Sequence, residues 1–364
     1  MMPHASPTIA ILHQALEPPV IDGQRKDAKP GGYSDSGADI AFCLRQMGLR
    51  VLTPVQHPSP ARDLDWVFPD TREGIAEAIG AGATLLWANT VLFEGHPIEV
   101  VRGPIRIVGQ RPAAMQAADD KFFMNARLRA SGLPTPASIL AALQPRAGVR
   151  ALASLNAQAL AHAGLKFPAI IKPIRGRGSQ GVELVRDVDA LRRSASALIE
   201  GGRFGGDVII EEYLPGDELT VTVMPLATQA TVKADAFWPL PPVLRFNHAN
   251  GVAPYNGVVA VSHNSRALAG AELKSPQVLT MLDHCMTAAR IAQASAPIRI
   301  DCRGDAKGVF RLFDLNMKPN MTGAGRPGRQ DQDGLSLIAA RAIGWSFGDL
   351  LKAIIDGAWT ASPP

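Results

Sequence analysis

The sequence predicts an α/β protein in which a parallel α/β domain is followed by two mixed α+β subdomains. Three observations support this fold class. Short apolar runs alternate with helical stretches in residues 1–113, a glycine-rich loop joins two apolar strands in residues 114–210, and a polar hairpin lies within residues 211–364. Alternating strands and helices indicate a parallel sheet, whereas strands joined directly indicate antiparallel pairing. We therefore predict domain boundaries after residues 113 and 210.

The first domain has a regular order of elements. Apolar runs predict strands at 8–13, 50–55, 84–89 and 105–109. Helical patterns lie between them at 36–48 and 71–80. A polar loop at 17–35, rich in Pro, Gly and charge, separates the first strand from the first helix. A loop of this length is either disordered or functional, and both alternatives stay open here.

The second and third blocks contain fewer regular repeats of strand and helix. The predicted elements are a helix containing Asp120 and Lys121, an Ala-rich helix within 151–163, strands at 169–173, 182–185 and 208–212, a helix opening at Asp187, and a helical tail at 335–356. The strands at 169–173 and 182–185 follow each other without a helix, so we expect them to form a hairpin.

Composition narrows the classes of function. The chain has 364 residues, of which 46% are hydrophobic and 19% charged, with a net charge of +4; these values are typical of a soluble globular enzyme. Lys and Arg are spread out, without interleaved aromatic residues, which disfavours nucleic acid as a partner. Three widely spaced cysteines indicate neither a disulfide framework nor a zinc site. We see no secretory signal or membrane-spanning run, so a cytoplasmic protein with no membrane partner is expected.

A polar hairpin near the carboxyl end is the most informative stretch. Two short strands flank the turn Gly-Asp-Ala-Lys-Gly at 304–308. Because side chains alternate along a strand, a tight hairpin would bring four of them to one face. These are Arg299, Asp301, Asp314 and Asn316. Two carboxylates and an amide oxygen suit Mg²⁺ beside the phosphates of a nucleotide. The alternative is a surface hairpin with a solvated polar face.

A lysine and a glycine loop form the second chemical feature. Lys172 ends an apolar strand, and Gly176, Gly178 and Gly181 follow it. Glycines let backbone N–H groups approach phosphate oxygens closely, and the lysine adds a positive charge. The glycines match G-x-G-x-x-G, but a dinucleotide-binding loop must open a helix, and here another strand follows. We therefore reject both a Rossmann site and a P-loop.

A possible nucleotide linker follows this hairpin. An apolar strand ends at Glu211 and Glu212, a Pro-Gly turn comes next, and Glu218 begins another strand. Such a linker can offer backbone groups to a purine and a carboxylate to ribose hydroxyls. Taken alone, a Glu-Glu pair before a turn is more often a solvated strand end.

In chain order, these features resemble the ATP-grasp superfamily and, within it, the D-alanine–D-alanine ligases. The order is Lys121, Lys172, the glycine loop, Glu218, Arg299, Asp301, Asp314 and Asn316. Residues 299–323 resemble the family's Arg-x-Asp strand, its metal strand and the following Pro-x-Met-Thr, and residues 335–355 resemble its closing helices. The resemblance covers residues 113–358, whereas residues 8–112 are similar only in general layout.

The resemblance implies a role for each of these residues. Lys121 and Lys172 would contact the phosphates of ATP, beneath a mobile lid formed by the glycine loop with Ser179. The adenine would lie against Glu211, Glu212, Tyr213 and Leu214, and the ribose against Glu218. Two Mg²⁺ ions, which Mn²⁺ could replace, would bind Asp301, Asp314 and Asn316. The catalytic residues would be Arg299, Lys172 and Ser179.

The resemblance also implies a reaction. A carboxylate would attack the γ-phosphate of ATP to give an acylphosphate and ADP, and an amine would then displace phosphate to form an amide. Arg299 would stabilise the oxyanion of the second step. The partners would be small carboxylates and amines, and a homodimer is implied by the family alone.

The first-substrate elements depart from the family. Gly178 stands where the family has a lid serine, and the family's glutamate has no clear match. Asp35 or Asp39 could replace that glutamate, the alternative being that Asp35 or Ser36 caps a helix.

The second-substrate elements depart as well. The loop at 245–264 lacks the family's Tyr-x-x-Lys-Tyr signature but contains His248, Tyr255 and His263. Asn320 replaces a glycine. Arg326 and Arg329 could hold a substrate carboxylate or belong to a solvated basic loop.

We therefore expect an ATP- and Mg²⁺-dependent ligase that joins amino-acid-like substrates in specialised metabolism. Three alternatives stay open. They are a D-alanine–D-alanine ligase proper, a ligase or kinase acting on a non-amino-acid carboxylate, and a nucleotide-binding module without turnover.

Overall fold

A computed structural model describes residues 6–227, 232–247 and 261–361. The strands in this part of the chain are β1 (Thr8–His13), β2 (Val20–Ile21), β3 (Gln24–Arg25), β4 (Arg50–Val51), β5 (Phe68–Pro69), β6 (Leu85–Asn89), β7 (Arg106–Val108), β8 (Ser138–Ala142), β9 (Val149–Ala151), β10 (Ala169–Pro173), β11 (Glu183–Val185), β12 (Asp207–Glu212), β13 (Glu218–Ala227), β14 (Val232–Pro239), β15 (Val243–Arg245), β16 (Ser265–Ala267), β17 (Ile298–Gly304), β18 (Phe310–Asn316) and β19 (Trp359–Thr360). The helices are α1 (Ser34–Gln46), α2 (Arg72–Gly80), α3 (Pro112–Asp119), α4 (Lys121–Ala130), α5 (Ala157–His162), α6 (Val188–Glu200), α7 (Pro276–Ile291), α8 (Leu335–Arg341) and α9 (Phe347–Asp356).

The first sheet has the order β19-β7-β6-β1-β4, with β5 paired to β1; it is parallel as predicted except for β19, which pairs antiparallel with β7. Strand β1 pairs in parallel with β4, β5 and β6, and β6 pairs in parallel with β7. The predicted strand at 50–55 is shorter, ending at Val51, because Pro54 has no N–H to continue a ladder. His13 and Asn89 lie opposite each other where β1 and β6 end.

The second sheet has the order β11-β10-β12-β8-β9. Strands β10 and β11 pair antiparallel, as expected for a hairpin. Strand β12 pairs with both β10 and β8 and continues through Glu212, so the predicted boundary after residue 210 falls inside a strand of this sheet. Helix α6 begins after its cap Asp187 and buries Leu191 and Ala195 against this sheet.

The third sheet has the order β16-β15-β13-β17-β18, with β14 also paired to β13. Strands β17 and β18 form the predicted hairpin, and Cys302 points away from its polar face into the core, where it is fully buried beside Cys285.

Three predicted helices are interrupted or shortened. The helix expected to contain Asp120 divides at that residue, whose carboxylate caps α4 by accepting the N–H of Phe123. The Ala-rich helix is confined to α5. The tail divides into α8 and α9 because Gly344 adopts a φ of +81° and Ser346 then forms a capping box with Asp349.

The chain end returns to the amino-terminal sheet. Helix α9 packs with α1 in one apolar core, and β19 pairs with β7. Residues 211–364 are therefore not a separate block in space. Across the described ranges, the structure has no helix with both the length and the apolar character needed to cross a membrane.

Candidate active site

The main cavity of the described structure, about 210 Å³ in volume, lies where the second and third sheets face each other. Its walls include the sequence-predicted residues Lys121, Lys172, Ser179, Glu211, Glu212, Tyr213, Leu214, Glu218, Arg299, Asp301, Asp314 and Asn316. These residues come from positions almost two hundred apart in the chain, so the fold gathers the whole predicted nucleotide and metal set in one cavity.

The hairpin places its four polar residues as the alternation of side chains predicts. Arg299 lies opposite Asn316, and Asp301 lies opposite Asp314. The carboxylate of Asp301 accepts hydrogen bonds from Thr220 Oγ1 at 2.7 Å and from Arg299 at 3.3 Å. The alternative of a solvated surface hairpin is wrong, because only 3% of Asp301 is exposed.

A bulge after Asp301 has a consequence that the sequence did not reveal. The register shifts between Asp301 and Cys302, which leaves Phe313 as the extra residue of β18. Its carbonyl is turned toward the cavity side and accepts hydrogen bonds from Lys172 Nζ and Asn125 Nδ2, each at 3.3 Å. The bulge therefore fixes the end of a lysine from the second sheet against the third.

Both predicted phosphate-contacting lysines are held by carboxylates. Lys121 Nζ lies 2.7 Å from Asp314 Oδ1, and Lys172 Nζ lies 2.6 Å from Glu211 Oε1. Burial lowers the pKa of Lys121, but the charge and hydrogen bond of Asp314, together with the charges of Asp119 and Asp301, outweigh it and raise that pKa overall. Burial likewise raises the pKa of Asp314, but the charges of Lys121 and Lys172 lower it below its usual range. Both groups of the first pair are therefore charged at neutral pH.

Glu218 is a buried carboxyl group of the cavity with a raised pKa. It lies opposite Arg245 on one neighbouring strand and Arg303 on the other. Burial, followed by the negative charge of Asp301, raises the pKa of Glu218 to about 7 despite these arginines. A carboxyl group in this state can accept or donate a hydrogen bond to a hydroxyl, which suits the ribose role expected for it.

The glycine loop between β10 and β11 consists of turns, as predicted for a loop that is not a Rossmann fingerprint. Ser179 adopts a φ of +57° and Gly181 a φ of +70°. A Cβ on Gly181 would lie 2.9 Å from Leu198 Cδ1, so only glycine fits there without a shift. Lys172, the penultimate residue of β10, lines the same cavity as this loop.

The polar loop at 17–35 is an ordered part of the cavity mouth. It contains the two-stranded ribbon β2–β3, and Lys26 lines the cavity while pairing with Asp119. Asp22 pairs with Arg175 at 3.3 Å, next to the glycine loop. The disordered alternative is therefore wrong, and the loop lies over the cavity beside the glycine loop.

The donor atoms of the hairpin fit a metal ion bound together with a nucleotide. Within the described ranges, no group of three or more His, Cys, Asp and Glu residues is arranged to hold a metal by itself. Asp301, Asp314 and Asn316 nevertheless present two carboxylates and one amide oxygen to one cavity. Mg²⁺ is commonly held by one or two carboxylates plus substrate phosphates and water. These three side chains therefore supply too few oxygen ligands to hold Mg²⁺ by themselves. Together with the phosphate oxygens of a nucleotide they would supply enough.

Two residues that were expected to contact a substrate, Asp39 and Arg326, lie outside the main cavity. Their side chains lie 2.8 Å apart and are about 2% exposed. Asp39 also accepts hydrogen bonds from Thr322 Oγ1 and Arg329, so its carboxylate is fully used inside the protein. Neither residue lines the main cavity, and Arg326 does not belong to a solvated loop. They form a structural ion pair between α1 and the segment after β18.

Of the remaining expected substrate residues, the two that the structure describes, Asp35 and Asn320, do not line the main cavity. Asp35 pairs with Lys29 at 2.8 Å and does not cap α1, whose first residue follows Tyr33. Asn320 has a buried side-chain oxygen that accepts no hydrogen bond in the described part of the protein. Tyr255 and His248 lie outside the described residues, and His263 follows directly after that gap.

Sequence reasoning missed three residues at the end of the cavity nearest the amino-terminal domain. They are Tyr33, Arg177 and Lys318. Lys318 Nζ lies 4.0 Å from the centre of the Tyr33 ring. Burial, followed by the charge of Lys29, lowers the pKa of Lys318 to about 7; the charge of Asp35 opposes this shift and that of Arg177 adds to it. The sequence could have pointed to Lys318, because it lies two residues after Asn316. It could not have pointed to Tyr33, because only the tertiary fold brings Tyr33 to the cavity.

Comparison with known sequences identifies the family. A sequence profile described as D-ala D-ala ligase C-terminus matches residues 132–356. The chain belongs to this family. The D-ala D-ala ligase match includes Lys172, Glu218 and the whole hairpin, while Lys121 and the amino-terminal domain precede it.

Individual relatives agree with this assignment. A D-alanine–D-alanine ligase of Gloeobacter violaceus is 26% identical over 248 residues, covering 68% of this chain and 72% of that protein. A protein of Sinorhizobium fredii described as uncharacterized protein y4sG is 22% identical over 340 residues, covering 92% of this chain and 87% of that protein.

Solved structures agree as well. The D-alanine–D-alanine ligase of Bacillus anthracis complexed with ATP matches with a TM-score of 0.63 at 19% identity, covering 97% of each chain. The VanG D-Ala:D-Ser ligase of Enterococcus faecalis matches with a TM-score of 0.61 at 14% identity, covering 96% of this chain and 99% of that one. The predicted resemblance to ATP-grasp D-alanine–D-alanine ligases and the predicted fold class are confirmed.

Proposed function

We propose that this protein is an ATP-dependent carboxylate–amine ligase that joins two amino-acid-like substrates through an acylphosphate. One observation carries the proposal. The register of the hairpin sets Arg299, Asp301, Asp314 and Asn316 on one face of the main cavity. Lys121 and Lys172 reach the same cavity from two other elements. This set suits phosphoryl transfer, which depends on positioning and charge stabilisation.

The first step requires groups that neutralise phosphate. A substrate carboxylate oxygen attacks the γ-phosphorus of ATP, and the bond to the β-phosphate oxygen breaks to release ADP. Lys121 and Lys172 stand where they can offset the negative charge of the phosphates. Glu211 and Asp314 keep these two ammonium groups in place before ATP binds. The glycine loop supplies backbone N–H groups from above.

The hairpin carboxylates would hold the metal that accompanies ATP. Asp301, Asp314 and Asn316 are the residues for it, and we propose two Mg²⁺ ions, with Mn²⁺ able to replace them. When bound, such ions neutralise charge on the phosphate oxygens during transfer.

The second step requires stabilisation of an oxyanion. The amine nitrogen attacks the acyl carbon, the carbon–oxygen bond to phosphate breaks, and the nitrogen loses a proton. Arg299 is held by Asp301 at 3.3 Å, which aims its guanidinium at the cavity rather than at solvent. Preorganised donors of this kind typically contribute two to three orders of magnitude to the rate.

We propose a substrate pair other than two D-alanines. Gly178 replaces the serine of the family's first-substrate triad, and the two nearby carboxylates, Asp35 and Asp39, are bound by Lys29 and Arg326. The second candidate is D-alanine–D-alanine ligation itself, which is favoured by the names of relatives such as the Gloeobacter violaceus protein. A cytoplasmic homodimer would suit either candidate.

The test is phosphate release from ATP and Mg²⁺ with a panel of D- and L-amino acids, dipeptides and simple carboxylates, added singly and in pairs. Mass spectrometry of the products identifies any condensed compound. The proposal expects turnover that needs two components and yields their combined mass less water. Efficient condensation of D-alanine alone would establish the second candidate. Turnover with one acid and no amine would indicate a kinase, and nucleotide binding without any turnover would contradict both ligase assignments.

A further inference from the structure

The end of the main cavity nearest the amino-terminal domain contains two cationic side chains, those of Arg177 and Lys318. Asp35 is near enough for its charge to act on Lys318, but its carboxylate is paired with Lys29. We call Tyr33, Arg177 and Lys318 the cationic end. Lys318 Nζ lies 4.0 Å from the Tyr33 ring centre, and the guanidinium carbon of Arg177 lies 5.4 Å from it. Arg177 also donates a hydrogen bond to the Tyr33 hydroxyl. All three residues line the cavity that contains the hairpin carboxylates.

The neighbouring cations are all paired, which makes the cationic end unusual. Ion pairs join Lys26 to Asp119, Lys29 to Asp35, and Arg175 to both Asp22 and Asp120. By contrast, no carboxylate in the described ranges forms an ion pair with Arg177 or Lys318. The Nε and Nη1 atoms of Arg177 are buried and find no acceptor in that part of the chain. The ammonium of Lys318 reaches only the carbonyl of Pro319, at 3.5 Å.

Buried donors on charged groups are unfavourable unless an acceptor meets them. Arg177 and Lys318 lie side by side with unused hydrogen-bond donors, and an anion bound between them would accept hydrogen bonds from both. An ammonium group at the same place would be repelled by both of them. The acids that could have held an ammonium, Asp35 and Asp39, are bound by cations of the protein.

We infer that the cationic end binds a second anionic group of the acid substrate, so that the acid is a dicarboxylate. This inference rests on the proposed ligase function and narrows its substrate class. One carboxylate of the acid would face the hairpin, where it reacts, and the other would meet Lys318 and Arg177. Carboxylates pair well with both groups, and a guanidinium can bind one through two hydrogen bonds.

The competing occupant is a phosphate of the nucleotide, because Arg177 belongs to the glycine loop. Two observations favour the acid. Lys121 and Lys172 already supply positive charge where the phosphates are expected. Lys318 also lines a small cavity with Asn89 and Thr90, at the edge where β1 and β6 end. Parallel α/β sheets bind ligands at this edge. Lys318 thus faces the amino-terminal domain rather than the nucleotide linker.

The test is calorimetric titration of the full chain in the presence of MgCl₂ and a non-hydrolysable ATP analogue. The probes are succinate, glutarate, aspartate and glutamate, compared with propionate and D-alanine. Lys318→Met removes the charge, Lys318→Arg keeps it, and Lys307→Met is the matched control because Lys307 is exposed in the turn of the same hairpin.

We expect the unaltered protein and the Lys307→Met control to bind a dicarboxylate more tightly than its monocarboxylate counterpart. Lys318→Met should weaken dicarboxylate binding about 10- to 100-fold, the range for loss of a charge-assisted contact, and should change monocarboxylate binding little. Lys318→Arg should restore most of the preference. Affinity for the ATP analogue should stay within about threefold in all variants, since Lys318 does not meet the nucleotide.

Several results would overturn the inference. They are tighter binding of D-alanine than of any dicarboxylate, binding of no acid at all, an unchanged preference in Lys318→Met, or a loss confined to the ATP analogue. Phosphate release measured in parallel separates this inference from the proposed function. Dicarboxylate binding without turnover would refute the ligase and keep the anion subsite. Turnover with monocarboxylates only would refute the subsite and keep the ligase.

Discussion

At the scale of single residues, the candidate active site is a set of charges that are neutralised in pairs. Lys121 pairs with Asp314, Lys172 with Glu211, and Arg299 with Asp301. A phosphate or metal entering the cavity therefore exchanges partners with these groups instead of meeting isolated charges. Because the pairs share one cavity, substitutions in them will not be additive.

Asp314 is the residue whose loss should affect turnover most directly. Asp314→Ala should lower ATP-dependent phosphate release by at least about 100-fold, because it removes a proposed metal ligand and frees Lys121 from its partner. Asp314→Asn keeps the shape and should be similarly impaired. The control Asp283→Ala, at an exposed site on α7, should match the unaltered protein. Melting temperature verifies folding, and undiminished phosphate release by either Asp314 variant would refute the metal assignment.

Asp70 illustrates a buried carboxylate with a structural role. It accepts hydrogen bonds from the backbone N–H groups of Ala15 and Leu16 and from Thr90, and it lies 3.2 Å from His96 Nε2. Burial alone would raise the pKa of Asp70, but these hydrogen bonds, led by that of His96, lower it. The carboxylate therefore stabilises the segment after β1 while it is ionised.

Asp70→Asn should lower the free energy of unfolding at pH 7 by about 1–3 kcal/mol, because the amide offers donors to groups that already donate. The stabilisation by Asp70 is complete above its ordinary pKa of about 3.9 and is lost as the pH falls through the lower pKa of the folded protein. The difference between the two proteins should therefore narrow below about pH 4. Urea denaturation from pH 3 to 7 measures it, with exposed Glu77→Gln as the control. A difference that grows in acid would contradict this account.

At the scale of elements, the hairpin and the glycine loop do their work through backbone geometry. Antiparallel register brings Asp301 opposite Asp314, and the bulge at Phe313 directs a carbonyl to Lys172. The glycine loop is restricted by packing as well as by dihedral angle, since Gly181 lies against Leu198 and Phe204. Both elements therefore depend on neighbours from other parts of the chain.

Two glycines with nearly the same φ separate these effects. Gly181 has a φ of +70° and Gly202 a φ of +68°, but only Gly181 has atoms within reach of an added Cβ. Gly202→Ala should lower the free energy of unfolding by about 1–2 kcal/mol, the strain of the left-handed region. Gly181→Ala should lower it by a further 1–3 kcal/mol, roughly the effect of overpacking. Urea denaturation measures the free energy of unfolding of the two variants. Equal losses would show that the side chains around Gly181 move aside for a methyl group at no cost.

At the scale of the whole molecule, the amino-terminal domain and the chain end are locked together. Strand β19 extends the first sheet, α9 packs on α1, and Asp39 of α1 pairs with Arg326. Arg326 also reaches Asp63 at 2.7 Å and the carbonyl of Pro60. These contacts attach the amino-terminal wall of the cavity to the segment that follows β18.

Breaking this buried pair from one side should destabilise the fold. Asp39→Ala or Arg326→Met should each lower the free energy of unfolding by about 1–3 kcal/mol, because each leaves buried polar atoms without a partner, although Arg326 keeps Asp63 and Asp39 keeps Arg329. Arg341→Met, in the half-exposed pair with Asp333, should change it by about 1 kcal/mol or less. Urea denaturation, with the Asp39→Ala and Arg326→Met double variant, measures the coupling. Strictly additive losses would show that the pair contributes nothing as a pair.

The sequence by itself determined the fold class and the hairpin, and it named the candidate nucleotide residues that line the main cavity. Alternation of side chains is a local property, so it was enough to bring Arg299, Asp301, Asp314 and Asn316 to one face. The order of the lysines, the glycine loop and the carboxylates along the chain was enough to identify the family. Strands such as β1 and β10 were predicted at their observed bounds because their apolar runs are continuous.

Only the tertiary structure decided which charges are available to a substrate. Asp39 and Arg326 lie 287 residues apart, and no local pattern shows that they neutralise each other. Lys318 and Arg177 are left with spare donors for the same reason, since pairing depends on distances across the fold. The predicted boundary after residue 210 falls inside β12 for a related reason: β12 and β19 join their sheets through strands that are distant in the sequence.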